Sequence, residues 1–184
     1  MVLFKNYNLI VTINLIFLSF LILLINTNYI LANDWWKNKS MNVVKLGEGK
    51  LSVYFFDVYN LKLYSTSKNL NYKNKIILEF EYLRDVSKKH TIEATIKEFK
   101  KNTKFDESKL KIWKKYLNKS IKDMKKKQKA AVVYHPEGII NFYVEGFEKE
   151  EFKDSLFAKS FIDIWIGKNT SRPNLRNKLI GEEY

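Results

Sequence analysis

FKDSLFAKSFIDIWIGKNTSRPNLRNKLIG, residues 152–181, constrains the architecture more than any other part of the chain. It reads as two helices joined by a short polar turn. In the first, Phe157, Phe161, Ile164 and Trp165 recur at three-and-four spacing, which lays one apolar stripe along one face, and Asp154 and Ser155 are candidate amino-terminal caps. The second is expected to open at Thr170 or Ser171 with Pro173 in its first turn, where a missing N–H breaks no hydrogen bond. It should stop before Gly181, after Leu175 and Leu179. An apolar stripe of this kind has to cover another apolar surface, so the rest of the chain must supply one.

The preceding residues supply it as strands. Residues 43–46, 51–56 and 58–64 are rich in Val, Leu, Tyr and Phe, with Gly47 and Gly49 punctuating the first junction. Gly47-Glu48-Gly49-Lys50 lacks the spacing and the following helix of a phosphate loop, so it reads as a turn. Residues 75–84 alternate strictly: Ile76, Leu78, Phe80 and Tyr82 face one way and Glu79 and Glu81 the other, and parity puts Arg84 at the end of the apolar row. Helical spacing follows, through Ile92, Ile96 and Phe99, and then through Leu110, Trp113, Leu117, Ile121 and Met124 with Asp106 as cap. Lys125, Lys126, Lys127 and Lys129 are read as the cationic end of that second helix, as its dipole favours. His135-Pro136-Glu137-Gly138 is a type I turn signal between strands 130–134 and 139–144, with Ile140, Phe142 and Val144 on the buried face. Residues 145–154 read as an acidic link. Together this is an α+β domain, an antiparallel sheet covered on one face by helices.

Composition limits the function. Of the 33 Lys and Arg only Arg84, Arg172 and Arg176 are arginine, so the net charge of +13 reads as a lysine bias rather than a nucleic-acid-binding surface. There is no cysteine, hence no disulfide framework and no thiolate nucleophile. Residues 1–32 carry one charge, Lys5, then an apolar run over 9–25 and a polar stretch ending at Ala32. That is the form of a secretory signal peptide. The alternative is an uncleaved anchor in the inner membrane through residues 9–25; either way residues 33–184 form the folded domain, in the periplasm or otherwise exported. Trp35 and Trp36 suit either a membrane interface or packing against the sheet. His90 and His135 have no second histidine at ligand spacing, and the carboxylates are scattered. No metal, cofactor or catalytic residue is assigned.

The closing helices also carry a resemblance. Residues 162–179, with Ile-Gly-Lys-Asn followed after two residues by Arg-Pro-Asn-Leu-Arg, are similar to the end of the chalcone isomerase-like proteins, except that the proline stands one place early. The similarity extends to GEGKLSVYFFDVYNLKLY (47–64) and LEFEYLRD (78–85). It implies an open-faced sandwich of sheet and helices. Plant-type chalcone isomerases hold the phenolate and the forming enolate with hydrogen-bond donors. Laid on that pattern, their Arg falls near Gly49 or Lys50, their first hydroxyl near Tyr59, their Tyr near Ser87, their Asn near Ala94 and their closing hydroxyl near Ile164. Tyr59 alone keeps a comparable group, so the resemblance does not imply chalcone cyclisation. A fatty-acid-binding branch of the superfamily holds a carboxylate with an Arg and a Tyr, which asks less. On that basis the ligand-binding candidates are Arg84, Tyr59, Tyr64 and Lys50, with a fatty acid or other small amphipathic carboxylate as partner. The competing role for Arg84 is an ion pair or cap, and for the tyrosines sheet packing. The alternative function is an intramolecular lyase or isomerase acting on an enone-type substrate.

Overall fold

The chain divides into two units, Met1–Lys39 and Ser40–Tyr184, and the computed structural model describes residues 42–102 and 105–182, all within the second. The signal-peptide expectation and the paired tryptophans lie outside the described residues. Six strands pair in sequence order as an antiparallel meander: β1 (Val44–Val53), β2 (Phe56–Ser65), β3 (Ile76–Tyr82), β4 (Lys129–His135), β5 (Ile139–Val144) and β6 (Phe147–Lys153). Helices α1 (Lys88–Asn102) and α2 (Glu107–Ser120) sit between β3 and β4, and α3 (Ser155–Ile166) and α4 (Pro173–Ile180) close the chain. The α+β sandwich expected from the pattern is the architecture observed.

One sheet face packs on the helices. In register, Leu61 opposes Phe80, Phe80 opposes Ala130, and Ala130 opposes Val144, so period-two alternation carries one apolar row across four strands. Glu79 and Glu81, on the opposite face, pair in register with Lys62 and Asn60. The stripe of α3 lies against the helix-side row, with Phe157, Phe161, Ile164 and Trp165 all buried. Asp154 caps α3 by accepting from the Phe157 N–H at 3.0 Å, and its other oxygen accepts from Trp113 Nε1 at 3.0 Å, which ties α2 to the start of α3.

Four expectations are corrected. Gly47 and Gly49 do not end a strand; they lie inside β1, because α4 packs on the sheet at that point. A Cβ on Gly47 would sit 2.1 Å from the Lys178 carbonyl oxygen, and one on Gly49 2.6 Å from Leu175 Cδ1. The chain reverses instead at Tyr54 and Phe55, between the paired Val53 and Phe56. Next, α2 ends at Ser120, whose hydroxyl donates back to the Tyr116 carbonyl at 2.8 Å. Met124 then pairs with Val86 as an isolated bridge, and Asp85 accepts from the Lys126 N–H at 2.9 Å, so the lysine run forms a turn and not a helix end. Finally, residues 147–153 are an edge strand. The hairpin turn before it uses Glu145 and Gly146, with φ of 51° and 81°, the two left-handed residues that a two-residue hairpin loop requires. At the last helix the cap position is Arg172 rather than Thr170 or Ser171. Thr170 instead spends its hydroxyl on the Ile164 carbonyl, at 2.6 Å.

Candidate functional site

Between the sheet and α1, α3 and the start of α4 lies a cavity of ≈ 320 Å³. Its floor is Phe80, Ala130, Val132, Phe142 and Val144, and its roof includes Phe161, Ile164 and Trp165 of α3. The local sequence explains the hollow. Ala130 on the floor and Ala94 on α1 put methyl groups where larger side chains would close the gap. Of the lining residues His90, Ala94, Lys122 and Arg172 are also solvent-exposed, which marks where the cavity opens.

Polar groups on this lining are few, and most have already used their hydrogens. Thr95 Oγ1 donates to the Thr91 carbonyl at 2.8 Å, Thr91 Oγ1 to Ser87 at 3.1 Å, and Ser120 as above, so each hydroxyl serves its own helix. Tyr59 differs. Its phenolic oxygen accepts from Trp165 Nε1 at 2.8 Å, and since an indole N–H can only donate, the phenol keeps its own hydrogen to give. Burial pushes the Tyr59 phenol well above its ordinary range, while the Trp165 bond and the Arg172 charge pull the other way and Glu98 adds to the rise. The group is therefore a neutral donor at physiological pH. Its ring is fixed edge-on against Phe80 and Tyr82, at 5.2 and 5.9 Å between centroids. At the rim, both Glu98 oxygens are occupied, one by Ser171 Oγ at 2.6 Å and the other by Asn102 Nδ2 at 3.1 Å.

Of the four residues expected to bind ligand, Tyr59 alone lines this cavity. Arg84 does not. Strand β3 ends at Tyr82, so parity fails two residues later, and Arg84 is exposed with its guanidinium 4.7 Å above the Phe56 ring. Tyr64 has the opposite parity to Tyr59, Leu61 and Leu63 along β2, so it points to the other sheet face. Lys50 is held by Asp57 at 2.6 Å, away from the cavity lining. The cations at the opening are Lys122 and, from the closing turn, Arg172, which sequence reasoning passed over. Its signal was faint: it lies next to Pro173 at the cap of a short helix, and helix-capping chemistry gives no reason to expect an arginine there. Arg176, two residues past Asn174, donates instead to the Ile166 carbonyl at 3.1 Å and to Glu182 at 3.2 Å, clipping α4 to α3. At the remaining family positions, Ala94 and Ile164 line the cavity with alkyl groups, while Ser87 sits outside the lining with its Oγ 2.9 Å from His90 Nδ1.

The family model described as chalcone isomerase-like matches residues 34–181. Among solved structures, the chain is similar to the crystal structure of a fatty-acid binding protein from Arabidopsis thaliana. That match has 16% identity and a TM-score of 0.60, and covers 77% of this chain and 88% of the other. At that identity the likeness is one of fold. No curated protein matches the sequence.

Proposed function

The chain belongs to the chalcone isomerase-like family, and from that premise we propose that it binds a small amphipathic carboxylate, of which a fatty acid is the type, without transforming it. The observation that carries the reading is an apolar cavity whose lining includes the Tyr59 phenol, which keeps its hydrogen to give, with Arg172 and Lys122 at the opening. Such a lining accepts an alkyl chain and offers a phenol donor and the cations of the opening to an acid head. The volume stands at the lower end of the ~300–1,000 Å³ usual for small-molecule sites, which suits a medium-length tail. The fold shared with a fatty-acid binding protein supports the same reading. Against chemistry, Ala94 and Ile164 offer no donor to a developing enolate, and Lys50 is engaged with Asp57. The amino-terminal pattern of residues 1–32 supports an exported location, which mass spectrometry of the mature amino terminus would test.

Saturated fatty acids of increasing length, titrated by calorimetry, test the binding. Each added methylene should tighten binding about fourfold, the equivalent of ~0.8 kcal/mol per buried CH₂, until the cavity is full. Arg172→Ala should weaken binding about tenfold or more and Tyr59→Phe by less, while Arg84→Ala leaves it unchanged. Absence of binding at every length, or loss through Arg84→Ala with Arg172→Ala silent, would overturn the site. Turnover of chalcones or related enones dependent on Tyr59 would replace the carrier with an isomerase.

A further inference from the structure

Tyr54, Phe55 and Phe56 stand in a row at the β1–β2 turn, and they are 92%, 98% and 59% exposed. Phe147, at the start of β6, is 71% exposed. In an antiparallel meander alternate turns fall at the same end of the sheet. The β1–β2 turn, the end of β3, the start of β4 and the β5–β6 turn therefore share one edge, about 19 Å across at the ordinary strand spacing. Four of the seven large apolar side chains exposed among the described residues lie on that edge, so the exposure is concentrated and not scattered.

Between the two aromatic tips runs a band of cations. Arg84 lies over Phe56, Lys149 Nζ is 5.7 Å from the Phe147 ring, and Lys125, Lys126 and Lys127 are exposed in the turn before β4. The acids on this edge are each engaged within the protein: Asp85 by Lys125 Nζ and the Lys126 N–H, each at 2.9 Å, Asp57 by Lys50 and Ser52, Glu145 by the Lys129 N–H, and Glu148 by Asn141 and Tyr143. Tyr54 holds φ at 55°, a left-handed conformation that an aromatic residue adopts at a cost. The tight β1–β2 turn imposes that conformation, and none of the three rings at the tip is buried.

We infer that this edge docks on an anionic lipid surface, with Tyr54, Phe55 and Phe147 entering the interfacial layer and Arg84 and Lys125, Lys126 and Lys127 against the lipid phosphates. Aromatic rings favour the bilayer interface, and basic residues beside it are drawn to anionic headgroups. A stable protein interface asks for one well-packed face of about 800 Å² per partner. Two separate tips divided by cations suit a fluid charged surface better. Val53 and Val58, on either side of the β1–β2 tip, line the cavity, so docking brings the cavity wall to the bilayer. Use of that contact to load a ligand rests on the function proposed above; the docking does not.

The absence of cysteine makes the test clean in the full chain. Phe55→Cys and, at the opposite end of the sheet, Glu137→Cys are each labelled with a nitrobenzoxadiazole fluorophore. Each is then mixed with vesicles of phosphatidylcholine alone or of equal parts phosphatidylcholine and phosphatidylglycerol. The label at 55 should brighten and shift to the blue with anionic vesicles, and the label at 137 should not. Adding Lys126→Glu and Lys127→Glu to the first variant should raise the lipid concentration for half-maximal response about tenfold or more. No response at 55, equal responses at both sites, or indifference to the charge reversal would overturn the proposal. So would a label at 55 that is quenched or buried by self-association before lipid is added. Fatty-acid titration of the same variants without vesicles is read separately: binding there is expected to persist, and its loss would count against the ligand site and not against docking.

Discussion

The two halves of the sheet–helix interface are built from the same sheet and the same helix, yet one is solid and the other hollow. Toward α2, Phe99, Trp113 and Phe157 are at most 1% exposed and meet with ring centroids 5.0 to 5.9 Å apart, and Tyr116 stacks on Phe152 at 4.2 Å. Toward β1 and the start of α4, Ile164 and Trp165 of α3 look across a gap to Ala130 and Val132. Seven positions, about two turns of one helix, take the chain from Phe157 to Ile164 and from one regime to the other. The difference lies in what faces the helix: α2 adds Trp113 and Tyr116 over one half, while small residues leave the other open. Stability and the proposed ligand capacity thus fall in different parts of one core, and substitutions should separate them.

The largest effect belongs to the solid half. Phe157→Ala should cost about 3–5 kcal/mol of unfolding free energy, measured by denaturant titration, because close-packed rings around it cannot collapse into the space. Asp154→Ala should cost about 2–3 kcal/mol by the same measurement, since it removes the cap of α3 and also leaves the Trp113 N–H without its acceptor. In the hollow half the readouts invert. Ala130→Leu should leave stability within about 1 kcal/mol of the parent or raise it, by filling the floor of the cavity, and should weaken fatty-acid binding about tenfold or more. An equal loss of stability there would mean that the gap is not free space. The smallest change is expected from Glu98→Gln, which removes a negative charge at the rim. Anionic ligands should bind about two- to fivefold tighter, an effect that fades with salt.

Much of the solid half was legible before any coordinates. The α3 stripe, the Asp154 and Asp106 caps and the alternation in β3 are local patterns, and local patterns survive folding when they agree with burial. The edge strand β6 was not legible. FEKEEFK has apolar residues only near its ends, and its entry turn uses Glu-Gly, a weaker signal than Asn-Gly or Asp-Gly. The glycines of β1 misled for a related reason. They serve a close approach by α4, a partner more than a hundred residues away, and nothing in their neighbourhood of the sequence announces it.

The candidate site divides the same way. Tyr59 could be named from the chain because it keeps a hydroxyl at its place in the family pattern, a property of a short stretch, and it took the register of β2 to separate it from Tyr64. Which cation joins it could not. Arg84 was the residue that alternation favoured, but β3 stops two residues short of it, where Tyr82 accepts from the Lys127 N–H at 2.7 Å. Arg172 reaches the opening because α4 folds back over Gly47 and Gly49. The order of helices and strands, and the face each presents, follow from periodicity and so are written into consecutive residues. The cavity and its charged rim depend on side chains far apart in the chain and on where packing runs out, and those are properties of the assembled fold alone.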